Sequence, residues 1–449
     1  MVAEKNNQRL TSFLSSEQIE ALDVGKKYHW TNESIIKGLK FRFALGKHGL
    51  NYLRSTGYPL PSYSTLNRRI QNVQFDFGVM ETLLALLQSK IHAMIPEDRN
   101  CCLLVDEMEI APFQDFDISR KSFVGNVTLG EKKVAKHYLV AMLKGLKSKW
   151  KQIVAHELTG ASTSGTDMRC FINHTISAAQ SIGLKVRASV SDMGSSNKAM
   201  WNALGVCVSK DKRQTFYTLD NCDIIHCVAD VPHLLKNMRS AFLSTMIVLP
   251  SYVCRENNLP SPNVSSGYVK QLWISQIKST SSLRSLQHLN KAHLFPSHFQ
   301  TMNVATAVQL FSIKTAAAIE EAVQFKQIDE CAKTTAWWIR KVCDWFSTMT
   351  ARDRKSSITL RNKGEKYKSL NEFIEIMQHI KLGKGWKPLQ TGIILSTMSV
   401  INLAEDLFFD GFKFFLYLEE LCKMLWRMCS LKSEGKRAQD QQPYKLKKH

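Results

Sequence analysis

Two aspartates directly follow apolar runs that have the character of buried strands. Asp106 comes after the run LLV, and Asp192 comes after VRASVS. Carboxylates at the ends of neighbouring strands can meet at one edge of a sheet, where two divalent cations roughly 3.5–4 Å apart can flank a phosphate for phosphoryl transfer. Oxygen ligands favour Mg²⁺ or Mn²⁺ over zinc. The pattern therefore predicts a hard-cation site at Asp106 and Asp192.

The alternative for either aspartate alone is a structural one, because Asp at a strand end commonly caps the next turn or helix. The sequence around the two residues favours the site: DEMEI surrounds Asp106 and SDMGSSN surrounds Asp192. A third segment, DVPHLLKN, places Asp230 and His233 near the same sheet edge. For these two, helix capping by Asp230 and core packing of His233 is the preferred interpretation.

The elements that must position these residues lie between about residues 100 and 245. The segments CCLLVDEMEI, KSFVGNVTL, HYLVAMLKGL and WKQIVAHEL read as successive strands. A helix over about 166–181, a strand in VRASVSD, a helix from near Ser195, a strand in DIIHCVAD and a helix in HLLKNMRSAFL follow. The order βββαβαβα is typical of a ribonuclease-H-like core, an α/β fold with a mixed sheet flanked by helices.

Helices dominate the sequence on both sides of this core. Over 15–95 the pattern is helical, and after the break GYPLP the segment SYSTLNRRIQNV begins with a Ser/Thr cap and carries Arg68 and Arg69. This arrangement is typical of a helix-turn-helix recognition element, and a helical hairpin with a solvated basic face is the alternative. Residues 246–385 read as a helical module, followed by two apolar helices in 391–409 and 412–428.

The composition indicates a polyanionic partner. The 449 residues include 60 Lys+Arg against 39 Asp+Glu, a formal net charge of +21, and 44% of them are hydrophobic. This balance favours nucleic acid, although ribosomal and membrane-surface proteins share it. The 11 Cys lack CxxC or finger spacing, which indicates reduced thiols. Residues 1–9 are polar, and no window of about 18 uncharged apolar residues occurs, so neither secretion nor a membrane span is expected.

Three segments resemble signature segments of the P-element-type DNA transposases, the THAP-domain-containing transposase family. They are DEM at 106–108, SDMGSSN at 191–197 and DVPHLLKNMR at 230–239, in the family's order, and the similarity extends over about 10–416. The resemblance implies a ribonuclease-H-like core interrupted by a large helical insertion. It also implies that Asp106 and Asp192 are catalytic metal ligands for Mg²⁺ or Mn²⁺, with DNA as partner and the nucleus as location.

The sequence departs from the family pattern in two places. A final acidic segment of the form LNQDxLENFF is expected after FFL, but this chain reads YLEELCK, so the third catalytic acid is expected to be lost and catalysis impaired. Glu419 or Glu420 substitutes for that acid only if the helix phase matches. No Cys-x-Cys…Cys-x-x-His arrangement precedes residue 100, so the THAP zinc finger is expected to be missing.

By resemblance, 28–73 corresponds to the family's helix-turn-helix region, which predicts a DNA-binding surface. Its candidate residues are Lys37, Lys40, Arg42, Arg68 and Arg69. The helical block resembles the insertion that binds GTP in the family, but it contains no GxxxxGK[ST] loop, so GTP binding stays open and no residue is assigned to it. Formation of a homo-oligomer also stays open.

The predicted organisation has six parts, and it leads to two functional hypotheses. The parts are a polar tail (1–14), a helix-turn-helix-like region (15–98), the first part of the core (99–245), the helical insertion (246–388), the incomplete end of the core (389–430) and a basic disordered tail (431–449). The first hypothesis is a transposase or transposase-derived protein with DNA binding, metal-dependent phosphodiester cleavage and strand transfer as its ancestral activity. The alternative is a non-catalytic DNA- or protein-binding regulator. An unrelated RNA-binding protein is weaker, because the sequence has neither an aromatic RNP-type strand nor a KH-like context for a GxxG segment.

Overall fold

The computed structural model falls into two compact units, Met1–Asp76 and Phe77–His449, and each is treated by itself. The first unit ends ahead of the predicted boundary at residue 98, because the chain from Phe77 onward packs with the sheet. The structure describes residues 14, 16–22, 30–70, 76–117, 121–131, 133–148, 150–279, 284–351, 356–412 and 414–415.

The first unit is helical. It contains α1 (Ser16–Glu20), α2 (Asn32–Ser55) and α3 (Tyr63–Ile70). The Thr31 side chain caps α2, and the helix is broken at Gly46, where φ is 69°. A small core holds the helices together, formed by Ile35, Leu50, Leu60 and Leu66. Three helical segments around one apolar core are consistent with the predicted helix-turn-helix-like region.

The second unit contains all the strands of the described chain. They are β1 (Gly78–Val79), β2 (Asn100–Glu109), β3 (Asp115–Asp117), β4 (Ser122–Val124), β5 (His137–Gly145), β6 (Lys151–Thr159), β7 (Lys185–Ser191), β8 (Cys207–Val208), β9 (Arg213–Gln214), β10 (Phe216–Thr218), β11 (Ile224–Ala229), β12 (Ile247–Val248), β13 (Asn263–Val264), β14 (Ile358–Thr359), β15 (Lys381–Leu382) and β16 (Phe414–Phe415).

Helices of the second unit flank the sheet and build the insertion. They are α4 (Glu81–His92), α5 (Gly165–Ser181), α6 (Ser195–Ala203), α7 (Val231–Ser244), α8 (Ser251–Glu256), α9 (Ser266–Lys278), α10 (Lys291–Leu294), α11 (Val304–Leu310), α12 (Ile313–Gln324), α13 (Ala332–Met349), α14 (Lys363–His379) and α15 (Pro388–Phe409). Two short 3-10 helices span Pro96–Arg99 and Phe299–Met302.

The main sheet is mixed and has seven strands in the order β1-β6-β5-β2-β7-β11-β10. Strands β2, β5 and β6 form an antiparallel meander, whereas β7 lies parallel to both β2 and β11. The chain order β2, β5, β6, α5, β7, α6, β11, α7 is the predicted βββαβαβα series. The ribonuclease-H-like fold class is thereby confirmed.

One predicted strand does not join this sheet. The segment KSFVGNVTL contributes only β4, which pairs with β3 in a separate two-stranded hairpin. The segment does alternate apolar and polar residues, but its strand β4 pairs with the neighbouring short strand β3 and not with a strand of the main sheet. The predicted strand is thus present as β4, although it is short and lies outside the main sheet.

The long apolar helix α15 crosses the sheet and lies largely inside the unit. Ser396 Oγ bonds both the N–H (2.9 Å) and the C=O (3.0 Å) of Ala229 in β11. Ser399 Oγ donates to Cys227 O at 2.6 Å. Among the described residues α15 alone is long and apolar enough to cross a membrane, with 61% of its most apolar window buried. Its packing identifies it as a core helix.

Candidate functional site

The structure brings Asp106 and Asp192 to the same edge of the sheet. Strands β2 and β7 are parallel neighbours, and their last paired residues are Leu104 and Val190. Each aspartate lies two residues further along its strand direction. Because side chains alternate between the two faces of a sheet, residues at equivalent positions of adjacent strands lie on the same face. The two aspartates thus occupy equivalent backbone positions, Asp192 directly after β7 and Asp106 in the last part of β2.

The Asp192 carboxylate is held by the loop that leads into α6. Its Oδ1 accepts hydrogen bonds from the Gly194 N–H at 2.8 Å and from Asn197 Nδ2 at 2.7 Å. A Cβ at position 194 would lie 2.9 Å from the same oxygen, so the close approach requires glycine. These bonds are the local capping role considered as the alternative for Asp192. Within the described chain they use Oδ1 only, which leaves Oδ2 for a ligand.

Asp106 and its neighbour Glu107 lie on opposite faces of the sheet. Asp106 Oδ1 accepts from the Glu107 N–H at 2.9 Å, and the Asp106 side chain is partly exposed. On the other face, Glu107 accepts a hydrogen bond from Thr159 Oγ1. The Glu157 carboxyl, on the same face as Glu107, accepts from Thr128 Oγ1 at 2.5 Å, and burial raises its pKa. This second pair of acids is engaged by hydroxyl groups and points away from the Asp106 edge.

The N-terminus of α7 lies near the same edge. The helix begins after Asp230 as predicted, although the Asp230 side chain makes no capping hydrogen bond. His233 is half-buried on the first turn of α7. Burial lowers the pKa of His233, Lys236 lowers it further, and Asp192 raises it. His233 is therefore close enough to Asp192 to interact with it, and the segment DVPH was the sequence signal for this proximity.

The donor set at this edge fits one hard cation. The carboxylate oxygens of Asp106 and Asp192 are the type of ligand that Mg²⁺ and Mn²⁺ prefer. Within the part of the chain that the structure describes, no group of three His, Cys, Asp or Glu side chains is close enough to hold a metal. The predicted substitutes Glu419 and Glu420 lie outside the described residues.

In the first unit, two of the five predicted DNA-contacting residues are engaged within the protein. Lys37 Nζ donates to Gln18 Oε1 at 2.8 Å, and Gln18 Nε2 donates to Pro59 O at 2.7 Å. The Arg42 guanidinium lies 4.8 Å from the centre of the Tyr63 ring. Lys37 thus helps to fix α1, and Arg42 fixes the α2–α3 contact.

The other three predicted residues are exposed. Arg68 and Arg69 lie in the last turn of α3, and Lys40 lies on α2. Because a helix advances about 100° per residue, Lys40 lies about 200° around α2 from Arg42, which faces α3. Lys40 is therefore on the far side of α2 from the two arginines. The sequence analysis missed Lys47, which is exposed and lies 5.4 Å from the Tyr63 ring centre.

Comparison with known proteins agrees with this architecture. Residues 75–205 match the family model described as TNP-like, RNase H N-terminal domain. The Transposable element P transposase of Drosophila melanogaster is 24% identical over 412 residues, which cover 89% of this chain and 50% of that protein. The chain thus spans about half the length of this curated relative.

A solved structure shows the same fold. It is the Drosophila P element transposase strand transfer complex, with a TM-score of 0.76 and 23% identity, covering 95% of this chain and 91% of that one. The matched segment 75–205 contains both Asp106 and Asp192, so the family model covers the edge of the sheet described above. The resemblance to P-element-type transposases is confirmed, and residues 75–205 are similar to the TNP-like RNase H N-terminal domain.

Proposed function

We propose that this chain is a transposase-derived DNA-binding protein whose ribonuclease-H-like core holds a divalent cation between Asp106 and Asp192. The observation that carries this proposal is the parallel pairing of β2 with β7 up to Leu104 and Val190, two residues before Asp106 and Asp192 respectively. The similarity to the P transposase supports DNA as the partner, as does the formal net charge of +21.

Each part of the candidate site has a defined role in this proposal. When bound, the cation would polarise a phosphate oxygen and acidify a water molecule. Asp106 and Asp192 would hold it. The Gly194 N–H and Asn197 orient Asp192 by fixing its Oδ1, so that Oδ2 points to the ligand position. Phosphodiester cleavage followed by strand transfer would be the ancestral reaction of this arrangement.

We further propose that cleavage is impaired, because the resemblance implies a third catalytic acid after FFL, where this chain reads YLEELCK, and the second of two cations would then be held loosely. Among the described residues no third His, Cys, Asp or Glu joins Asp106 and Asp192 in a group that could hold a metal, and we therefore assign one cation to this pair. In that case the protein acts chiefly as a DNA-binding regulator, which was the alternative hypothesis. The exposed Arg68 and Arg69 on α3 would contribute phosphate contacts to this role.

Three finer parts of the proposal come from the resemblance. Residence in the nucleus follows from a DNA partner. GTP binding by the helical insertion and formation of a homo-oligomer stay predictions, and no residue is assigned to either.

The proposal is tested by assaying cleavage of duplex DNA in Mg²⁺ and in Mn²⁺. The wild-type protein is expected to show weak metal-dependent nicking, and the variants Asp106→Asn and Asp192→Asn are expected to show none, because each removes one charged ligand. Asp220→Asn, which changes an exposed aspartate on the turn after β10, is the matched control and should behave as wild type.

The outcomes separate the two functional hypotheses. DNA binding by all four proteins with background cleavage in each would support the non-catalytic regulator. Equal, clearly metal-dependent cleavage by the wild type and both site variants would show that the chemistry lies elsewhere.

A further inference from the structure

The hairpin β3–β4 exposes an aromatic face next to the candidate site. Phe116 and Phe123 are a directly opposed cross-strand pair, and their rings meet edge to face with 5.2 Å between centroids. Phe116 is 48% exposed, Phe123 69% and the preceding Phe113 57%. Exposed large apolar side chains grouped on one element commonly mark a binding surface.

This hairpin is firmly anchored at its base. Gly125 has a φ of 102°, and a Cβ at that position would lie 2.0 Å from the Phe113 carbonyl oxygen, so only glycine allows the two chain segments to approach this closely at the base of the hairpin. Gln114 Nε2 donates to Asn126 Oδ1 at 2.6 Å across the same base. Two interactions thus hold the start and end of the hairpin together and fix where its aromatic face lies.

The position of the hairpin relates it to the candidate metal site. It follows β2 after a short connection, and it leaves the sheet at the end of β2 that carries Asp106. The Ile110 N–H donates to the Lys136 carbonyl at 2.8 Å. This hydrogen bond holds the connection beside the residue that precedes β5. The hairpin thus emerges from the end of β2 that carries Asp106.

The charges around the aromatic face favour nucleic acid over an apolar protein surface. Lys121 at the hairpin turn and Lys136 at its base are both exposed. Asp115 pairs with Val124, one position from the Phe116–Phe123 pair, so it lies on the opposite face. Aromatic rings flanked by lysines are the combination that binds single-stranded nucleic acid, because bases stack on the rings while the cations contact the phosphates.

From these observations we propose that Phe116 and Phe123, with Phe113, form a stacking platform for unpaired DNA bases at the edge of the candidate site. The inference rests on the proposed DNA-binding function and names the form of DNA that this edge accepts. Lys121 and Lys136 hold the backbone of the same unpaired strand.

The test compares two labelled DNAs that carry the same number of phosphates: a fully paired duplex and a duplex with a single-stranded extension. Binding is measured by fluorescence anisotropy without divalent metal, so that cleavage does not enter. Wild type is expected to prefer the extended DNA. The double variant Phe116→Ala plus Phe123→Ala is expected to lose about thirtyfold or more in affinity for it, since stacking is lost at two positions, while duplex binding stays unchanged.

Two further variants identify the interaction as stacking. Phe116→Leu plus Phe123→Leu keeps the apolar area and should lose as much affinity as the alanine pair. Phe116→Trp plus Phe123→Trp should retain the wild-type preference. Phe409→Ala, which removes an equally apolar side chain that is 94% exposed on α15, is the matched control and should change nothing.

Each result decides the question. Duplex binding without a preference for the extended DNA, or an unchanged preference in the alanine pair, overturns the inference and leaves the proposed function intact. The leucine pair could instead keep the full wild-type affinity for the extended DNA while the alanine pair changes its oligomeric state, measured by light scattering. That result would show that the aromatic face is a protein interface and not a platform for DNA. No binding of either DNA by wild type overturns both proposals.

Discussion

At the level of single residues, the sequence located the two acids but not what holds them. Asp106 and Asp192 were predictable because a carboxylate directly after an apolar run must lie where a strand leaves the core. The bonds from Gly194 and Asn197 to Asp192 were not predictable, since they depend on the conformation of one loop. The half-buried position of His233 depends likewise on where α7 begins.

A buried histidine gives the folded protein a pH dependence that can be measured. His226 on β11 is buried, and its Nε2 lies 2.7 Å from Asp406 Oδ2 on α15. Burial lowers the pKa of His226 more strongly than Asp406 raises it, and Arg187 lowers it further. Its Nδ1 is buried and has no partner among the described residues, so a second ring proton would find no acceptor.

Stability is therefore expected to fall as the pH drops below about 6.5, the unfolded value for histidine, because the unfolded chain then binds a proton that the folded chain resists. Urea unfolding at about pH 7.5 and about pH 5.5 measures the loss. His226→Gln keeps a donor for Asp406 and should reduce the pH dependence, whereas the exposed control His174→Gln should not. An identical loss in wild type and His226→Gln would contradict this account.

At the level of elements, the sequence predicted α15 as an apolar helix but not its partner strand. Hydropathy indicates that a helix is buried but not which strand it packs on. The contact of α15 with β11 depends on Ser396 and Ser399, whose side chains hydrogen-bond to the β11 backbone. These bonds add to the pairing of β11 with the short edge strand β10. Similarly, the alternation in KSFVGNVTL indicated a strand, but pairing within a hairpin or within the main sheet depends on the neighbouring chain.

The contact of α15 with β11 predicts a specific loss of stability. Ser396→Ala removes the acceptor for the Ala229 N–H and the donor to its carbonyl, and both groups stay buried. We expect the free energy of unfolding to fall by about 1–3 kcal/mol. Chemical denaturation measures it, with Ser240→Ala on the exposed face of α7 as control, expected within about 0.5 kcal/mol of wild type. Equal stability of both variants would show that α15 is held by apolar packing alone.

At the level of the whole molecule, composition predicted the kind of partner, and the order of elements predicted the fold class. The charge of +21 is a property of the whole chain, so it could be read without a structure. Composition could not predict which of the lysine and arginine side chains proposed to contact DNA are exposed. Lys37 is bonded to Gln18 and Arg42 lies over Tyr63, whereas Arg68 and Arg69 are exposed.

Salt dependence of duplex binding tests the two exposed arginines. Each phosphate contact contributes about 0.9 to the slope of log K against log salt. The double variant Arg68→Gln plus Arg69→Gln is therefore expected to reduce the slope of log K against log salt by about 2 and to weaken DNA binding at low salt. Lys210→Gln plus Lys212→Gln, an exposed pair between β8 and β9, removes the same charge as a control. An equal reduction in both double variants would indicate a charge effect of the whole molecule.

Titration of the protein with Mn²⁺, followed by electron paramagnetic resonance, tests the convergence of the two aspartates most directly. The wild-type protein is expected to bind the ion, Asp106→Asn and Asp192→Asn are each expected to weaken that binding by roughly tenfold or more, and Asp220→Asn is expected to leave it unchanged. Mn²⁺ binding of equal strength in all four proteins would contradict a shared cation site at the ends of β2 and β7.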